Sequence, residues 1–247
     1  MAQKERLDDI LEILRTHGYV TVKFLTETLH YSTATINRDL NRLQAQQLVK
    51  RSYGGVELVK GERNTLMFRY HKMRAAKNLI GKCAATYIHD GDTVFIDGTT
   101  TSQCIAPHIL DRKGITVITN NVALVAQLSE RGVRVVCLGG AVVDAPYILG
   151  GVDTVDNAEK YRADKLFFST GSLDEEGGIG GAYYPLLKVL IRNAKERYFL
   201  VDHKKFGVRT RDVRLSLNDV DTVISDTEIA PALQEKFPHV QFVVAND

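Results

Sequence analysis

Residues 97–102, Asp-Gly-Thr-Thr-Thr-Ser, place one carboxylate, one glycine and four hydroxyls in six consecutive positions. Gly98 permits a tight turn, after which the backbone N–H groups open in one direction. The hydroxyls of Thr99, Thr100, Thr101 and Ser102 stand beside them. Backbone donors at the start of a helix, flanked by hydroxyls, suit a phosphate. A capped strand-to-helix turn is the plainer reading, yet four hydroxyls exceed what capping requires. Asn120-Asn121 and Gly139-Gly140 follow two later apolar runs; each alone is ordinary turn chemistry, but together they line one rim. Residues 202–207, DHKKFG, add Asp202 and Lys205, and Lys205 can counter a phosphate or carboxylate, whereas Lys204 and Arg209 read equally well as solvated charge. Residues 169–184 form a long Gly-rich loop, Gly171 among them, able to close over a ligand.

A second chemistry resides in residues 32–43, STATINRDLNRL. At 3.6 residues per turn Ile36, Leu40 and Leu43 share one face. Ala34, Asn37, Arg38, Asn41 and Ala45 share the opposite one, which has amides and an arginine but no central carboxylate. Such a face can lie on a polyanion and hydrogen-bond base edges. Ser32 is placed to cap the helix, with Thr33 and Thr35 in its first turn.

The elements that position these groups follow from the same periodicities. A first helix spans roughly residues 4–16, with Leu7, Ile10, Leu11 and Leu14 as its apolar stripe and Gly18 ending it. Residues 20–22 lead into a short helix, KFLTETL, with Phe24, Leu25 and Leu29 packing inward, and a three-residue turn, 30–32, joins it to the next. LVKRSY and GVELV flank Gly54-Gly55 as a two-stranded wing. Residues 60–77 are a basic stretch, read either as a path along the DNA backbone or between domains, or as a solvated linker; its end enters a helix running to Ile88. Beyond it, strands are predicted at 93–97, 115–119, 133–138, 165–170, 197–202, 222–225 and 240–244, mostly with helical patterns between them. Near-continuous apolar strands alternating with helices indicate a buried parallel sheet, an α/β domain that binds ligands at its carboxyl edge.

The N-terminal residues resemble the DeoR family of bacterial transcriptional regulators. Arg6, Val20-Thr21-Val22, Ser32, Thr35-Ile36-Asn37-Arg38-Asp39-Leu40, Arg51 and Gly54-Gly55 match its signature across the whole winged helix-turn-helix. The resemblance implies DNA contacts from Ser32, Thr33, Ala34, Thr35, Asn37, Arg38, Asn41, Arg51, Tyr53 and Gly54. Asn37 stands where the family usually has an arginine; Asn pairs bidentately with adenine and Arg with guanine, so the operator should differ there. Asp39 is expected to be structural, pairing Arg42 or Arg51. The resemblance continues in Asp97-Gly98-Thr99-Thr100, Thr119-Asn120-Asn121, Gly139-Gly140 and residues 202–207. It implies a Rossmann-like sensor domain similar to ribose-5-phosphate isomerase and glucosamine-6-phosphate deaminase. In that domain Asp97, Gly98, Thr99, Thr100, Thr101, Asn120, Asn121, Gly139, Gly140, Gly171, Lys188, Asp202 and Lys205 would surround a phosphorylated sugar or related metabolite. Tyr183 stands where the family has a carboxylate and Leu187 where it has a basic residue; of that helix pattern only Lys188 matches.

The expected architecture is therefore residues 1–58 for DNA binding, 59–76 as linker and 77–247 for effector sensing and oligomerisation. The net charge of +2 conceals an asymmetry: residues 1–77 hold 14 Lys and Arg against 8 Asp and Glu, and residues 78–247 hold 18 against 22. A basic front half is what a DNA reader needs, and two half-sites require a homodimer or homotetramer. No apolar stretch approaches the ~18 residues of a membrane span, and no signal-peptide apolar region opens the chain, so a cytoplasmic protein is expected. Cys83, Cys104 and Cys137 are too dispersed for a zinc site or a disulfide framework. The glycines do not form the dinucleotide fingerprint, so no cofactor is expected. The reading is a repressor of a carbohydrate-metabolism operon, modulated by a phosphorylated metabolite and not an enzyme. The alternatives are a sugar-phosphate isomerase or deaminase fused to a DNA-binding module, disfavoured by the missing carboxylate at Tyr183, and a winged helix that binds protein, disfavoured by Arg38, Asn37 and Asn41.

Overall fold

A computed structural model describes residues 2–17, 19–52, 55–59, 69, 73–144, 147–181 and 184–246. The chain forms two compact units, residues 1–75 and 76–247. Tyr53, Gly54 and Tyr183 lie outside the described residues, as does most of the stretch 60–72.

The first unit runs α1 (Ala2–His17), β1 (Tyr19–Thr21), α2 (Val22–Leu29), α3 (Thr33–Ala45), β2 (Val49–Ser52) and β3 (Gly55–Leu58). Both short helices carry side-chain caps. Thr21 Oγ1 accepts the Phe24 N–H at 3.1 Å, and Ser32 Oγ accepts that of Thr35 at 3.2 Å. Each such cap contributes about 1 kcal/mol. His30 ends α2 in the left-handed region, φ 55°, which frees the chain to turn into α3 within three residues. Leu7, Ile10, Leu11, Leu14, Leu25, Ile36, Leu40 and Leu43 form one core. Phe24 departs from the inward placement expected of it: it is exposed and meets the His17 ring edge-on, centroids 5.2 Å apart. The wing also gains a strand. β1 pairs antiparallel with β3, Val20 opposite Val56, giving the order β1-β3-β2.

The second unit continues with α4 (Arg74–Ala85), β4 (Thr93–Ile96), a 3-10 helix (Ser102–His108), β5 (Thr116–Thr119), α5 (Val122–Ser129), β6 (Arg134–Cys137), β7 (Ala141–Asp144), β8 (Ile148–Gly150), α6 (Val152–Glu159), β9 (Ala163–Phe168), β10 (Ser172–Leu173), β11 (Gly178–Gly180), α7 (Tyr184–Asn193), β12 (Ala194–Val201), β13 (Val213–Ser216), β14 (Thr222–Ser225), α8 (Pro231–Lys236) and β15 (Gln241–Val244). The seven expected strands form one parallel sheet in the order β15-β14-β12-β9-β4-β5-β6. Its side chains alternate strictly. Phe95, Phe168 and Phe199 belong to the core under α7, while Val94, Phe167 and Leu200 belong to the core under α4 and α5. Each large apolar side chain so buried stabilises the fold by roughly 1.5–3 kcal/mol.

Two expected helices end or wind differently. α4 stops at Ala85 instead of Ile88: the N–H groups of Thr86, Tyr87 and Ile88 bond three residues back, which tightens the last turn. The hydroxyl run leads into a 3-10 helix with Pro107 inside it, not an α-helix. Proline removes a donor that an α-helix would need there.

The winding fixes the place of the site. From β4 the chain steps outward through β5 and β6, returns to β9 on the other side of β4, and steps away through β12, β14 and β15. Loops after β4 and β9 therefore leave in opposite directions, and a crevice opens between them at the carboxyl ends of the strands.

Candidate functional site

The outer face of α3 is the first candidate. Ser32, Thr33, Ala34, Arg38 and Asn41 are exposed, and Thr35 and Asn37 are half-buried. Ser32 and Thr35 hydroxyls also bond each other at 2.9 Å. Arg51 crosses from β2 to α3: Nη1 donates to Asn41 Oδ1 at 2.8 Å and Nη2 to Asn37 Oδ1 at 2.6 Å. Asp39, expected to pair Arg42 or Arg51, pairs instead with Arg6 of α1. Both are buried, and the Arg6 guanidinium also sits 4.4 Å from the Tyr31 ring centre. Because Asp39 precedes Leu40 on the core side of the helix, only a residue beneath the helix can reach it. Its hydrogen bond is the main reason that the Arg6 pKa is raised above its ordinary value.

The crevice between β4 and β9 is the second candidate. Asp97 is buried at its floor. Its Oδ1 accepts the Thr99 N–H at 3.2 Å and hydroxyl at 2.7 Å, and its Oδ2 accepts the Ser169 N–H at 3.3 Å. Burial pushes this carboxyl above its ordinary value, and these donors, with the Ser102 hydroxyl, pull against that shift. Asp97 is thus a brace joining the two loops. Above it, Lys205 reaches across from the loop after β12, with Nζ 3.2 Å from Thr101 Oγ1, 2.8 Å from Ser169 Oγ and 3.5 Å from Asp202. Lys77 of α4, itself buried, donates to the adjacent Thr100 Oγ1 at 3.0 Å. Two lysines therefore converge on one hydroxyl run.

The neighbouring residues divide between this cluster and the scaffold. Asn120 donates to the Leu149 carbonyl at 2.7 Å, while its Oδ1 is buried with no hydrogen-bond partner among the described residues. A Cβ on Gly98 would come 3.1 Å from that oxygen, so glycine keeps the approach to it open. Asn121 caps α5, its Oδ1 accepting from Ala123 and Leu124 N–H groups. Gly139 and Gly140 serve packing: Thr154 Oγ1 donates to the Gly139 carbonyl at 2.6 Å, and a Cβ on Gly140, φ 105°, would overlap Thr154 Oγ1 at 2.0 Å. Gly171 backs onto the Gly181 backbone and donates to the Gly180 carbonyl at 3.1 Å. Lys188 is exposed on α7, and none of the cluster's hydrogen bonds among the described residues reaches it. Sequence reasoning missed Lys77 and Ser169 as members of the cluster. For Lys77 a signal existed, because it lies on one helical face with Ile80, Ala84 and Ile88, all buried.

Among the described residues no group of His, Cys, Asp and Glu is arranged to hold a metal, and no helix is long and apolar enough to cross a membrane. None of the three cysteines forms a disulfide.

Comparison with known proteins gives two family matches, a DeoR-like helix-turn-helix domain over residues 6–62 and a DeoR C terminal sensor domain over residues 72–227. The chain is 33% identical over 231 residues to the HTH-type transcriptional repressor GlcR of Bacillus subtilis, covering 92% of this chain and 89% of that one. It is 30% identical over 234 residues to the glycerol-3-phosphate regulon repressor of Escherichia coli, covering 92% of each. It is 29% identical over 264 residues to the lactose phosphotransferase system repressor of Lactococcus lactis, covering 100% of each. Among solved structures, ribose 5-phosphate isomerase A from Methanocaldococcus jannaschii aligns with a TM-score of 0.41 and 17% identity over 54% of each chain.

Proposed function

The chain belongs to the DeoR family of transcriptional regulators, and from that premise we propose that it is a DNA-binding repressor of a carbohydrate-metabolism operon, released by a phosphorylated sugar or related metabolite bound between β4 and β9. One observation supports the effector assignment above all: Lys77 of α4 and Lys205 of the loop after β12 reach the consecutive hydroxyls of Thr100 and Thr101. Two ammonium groups, three hydroxyls and turn N–H groups match the charge and acceptor count of a phosphate. The buried acceptor Asn120 Oδ1 beside Gly98 suits a sugar hydroxyl, because a buried polar atom calls for a partner. The names of the glycerol-3-phosphate and lactose phosphotransferase repressors agree with such an effector.

Binding, not turnover, fits the carboxylates of the cluster. Asp97 is held by the Thr99 and Ser169 donors, and Asp202 accepts the Lys204 N–H at 3.2 Å. A general base must be able to reach a substrate proton, and these two are already engaged by donors of the surrounding loops. The assembly is a homodimer or homotetramer presenting paired α3 helices to a double-stranded operator. Regulation then follows from linkage: an effector that prefers the arrangement with low DNA affinity shifts the population toward it.

The test is a thermal-shift screen of sugar phosphates, their parent sugars and inorganic phosphate against the full chain, followed by operator titrations. A phosphorylated metabolite should raise the melting temperature and weaken operator binding, and Thr100→Val or Lys205→Met should remove both effects while leaving metabolite-free DNA affinity within about twofold. Equal responses to phosphorylated and parent sugars would overturn the assignment.

A further inference from the structure

Arg51 joins the wing to the recognition helix through two amide oxygens one helical turn apart, Asn37 Oδ1 at 2.6 Å and Asn41 Oδ1 at 2.8 Å. Guanidinium groups carry only donors, so the oxygen of each amide faces Arg51 and each NH2 group faces away from it. The adjoining exposed face carries Arg38, again with donors only. The surface offered to a major groove is therefore donor-rich at Asn37, Arg38 and Asn41.

We infer that Arg51 sets the base preference of this recognition helix, by holding the Asn37 and Asn41 amides so that their NH2 groups, and not their carbonyls, meet the DNA. The consequence reverses the preference expected of a free asparagine. Adenine shows an N7 acceptor beside an N6 amino donor, and its bidentate pairing needs both the oxygen and the nitrogen of an amide. With the oxygen turned toward Arg51 and away from the groove, the amide NH2 meets the adenine amino group donor against donor. Guanine shows two acceptors, N7 and O6, and satisfies both amide protons. The operator position beneath Asn37 should thus be guanine. Asn37 achieves with a braced amide what an arginine at the same place achieves with its fork.

Selection of operator duplexes from a randomised pool by the full-length protein, without added metabolite, tests this. The position read by Asn37 is the one whose preference disappears in Asn37→Ala. At that position the unaltered protein should favour guanine over adenine by about tenfold. Arg51→Lys keeps a positive charge but cannot fork to both amides, and should bring the two bases within about threefold. Arg51→Met removes the brace altogether and should move the preference toward adenine, at lower overall affinity; thermal unfolding of each variant confirms an intact fold. Three results would overturn the inference: adenine selected by the unaltered protein at the Asn37-dependent position, guanine preference unchanged in both Arg51 variants, or no position responding to Asn37→Ala.

Discussion

A lysine whose stem is sealed between a helix and a sheet gives up most of the hydration of its ammonium, and Lys77 recovers part of it through Thr100. Such a charge is costly to the fold and valuable to an anion. Lys77→Met, which keeps the stem volume, should leave the melting temperature of the metabolite-free protein unchanged or higher and abolish the rise produced by a phosphorylated metabolite. Asp97 makes the complementary case. Burial raises its pKa, so its contribution to stability is full below the ordinary value of 3.8 and declines as pH rises through the raised value. Asp97→Asn should flatten that part of the curve of melting temperature against pH. At this scale the sequence was partly legible. Asp97, Thr100, Thr101 and Lys205, each singled out by residue type, are brought together. Asn121 and Gly140 look alike in sequence but serve a cap and a close approach, because turn residues have the same types whether they bind a ligand or bend a chain.

Between elements, the Arg6–Asp39 pair is a polar tie between α1 and α3. Removing one member of a buried pair typically costs up to about 3–5 kcal/mol. Arg6→Met should therefore lower the stability of the N-terminal unit by that amount in denaturant unfolding, and DNA affinity should fall only to the extent that unfolding accounts for it. The expectation of Arg42 or Arg51 as the partner failed because both are near Asp39 in the sequence, whereas Arg6 comes from α1, 33 residues away. The seven parallel strands were legible as continuous apolar runs, since both faces of the sheet are covered. β1, β7, β8, β10, β11 and β13 were not. They are two to four residues long, too short for a period to show, and two of their pairings, β1 with β3 and β11 with β13, join distant segments.

For the molecule as a whole, the uneven charge is the property that experiments can reach most directly. Operator affinity should fall steeply with salt, and Arg38→Ala should reduce the slope of log affinity against log salt by about one if Arg38 meets a phosphate. A change confined to one operator base, with the slope kept, would instead assign Arg38 to a base edge. The order of the parallel sheet bears on the protein's synthesis as well. β4 and β9 are neighbours, yet residues 97–162 separate them along the chain, and Lys205 comes later still. At about 5–20 residues per second a ribosome needs roughly 3–13 s to travel from one central strand to the other. During that interval one edge of β4 has no strand beside it, while the whole DNA-reading unit, complete by Leu58, has already been made. A nascent chain thus completes its helix-turn-helix unit before it has the strands that frame the crevice, so a fragment ending in this interval would carry that unit without a finished sheet.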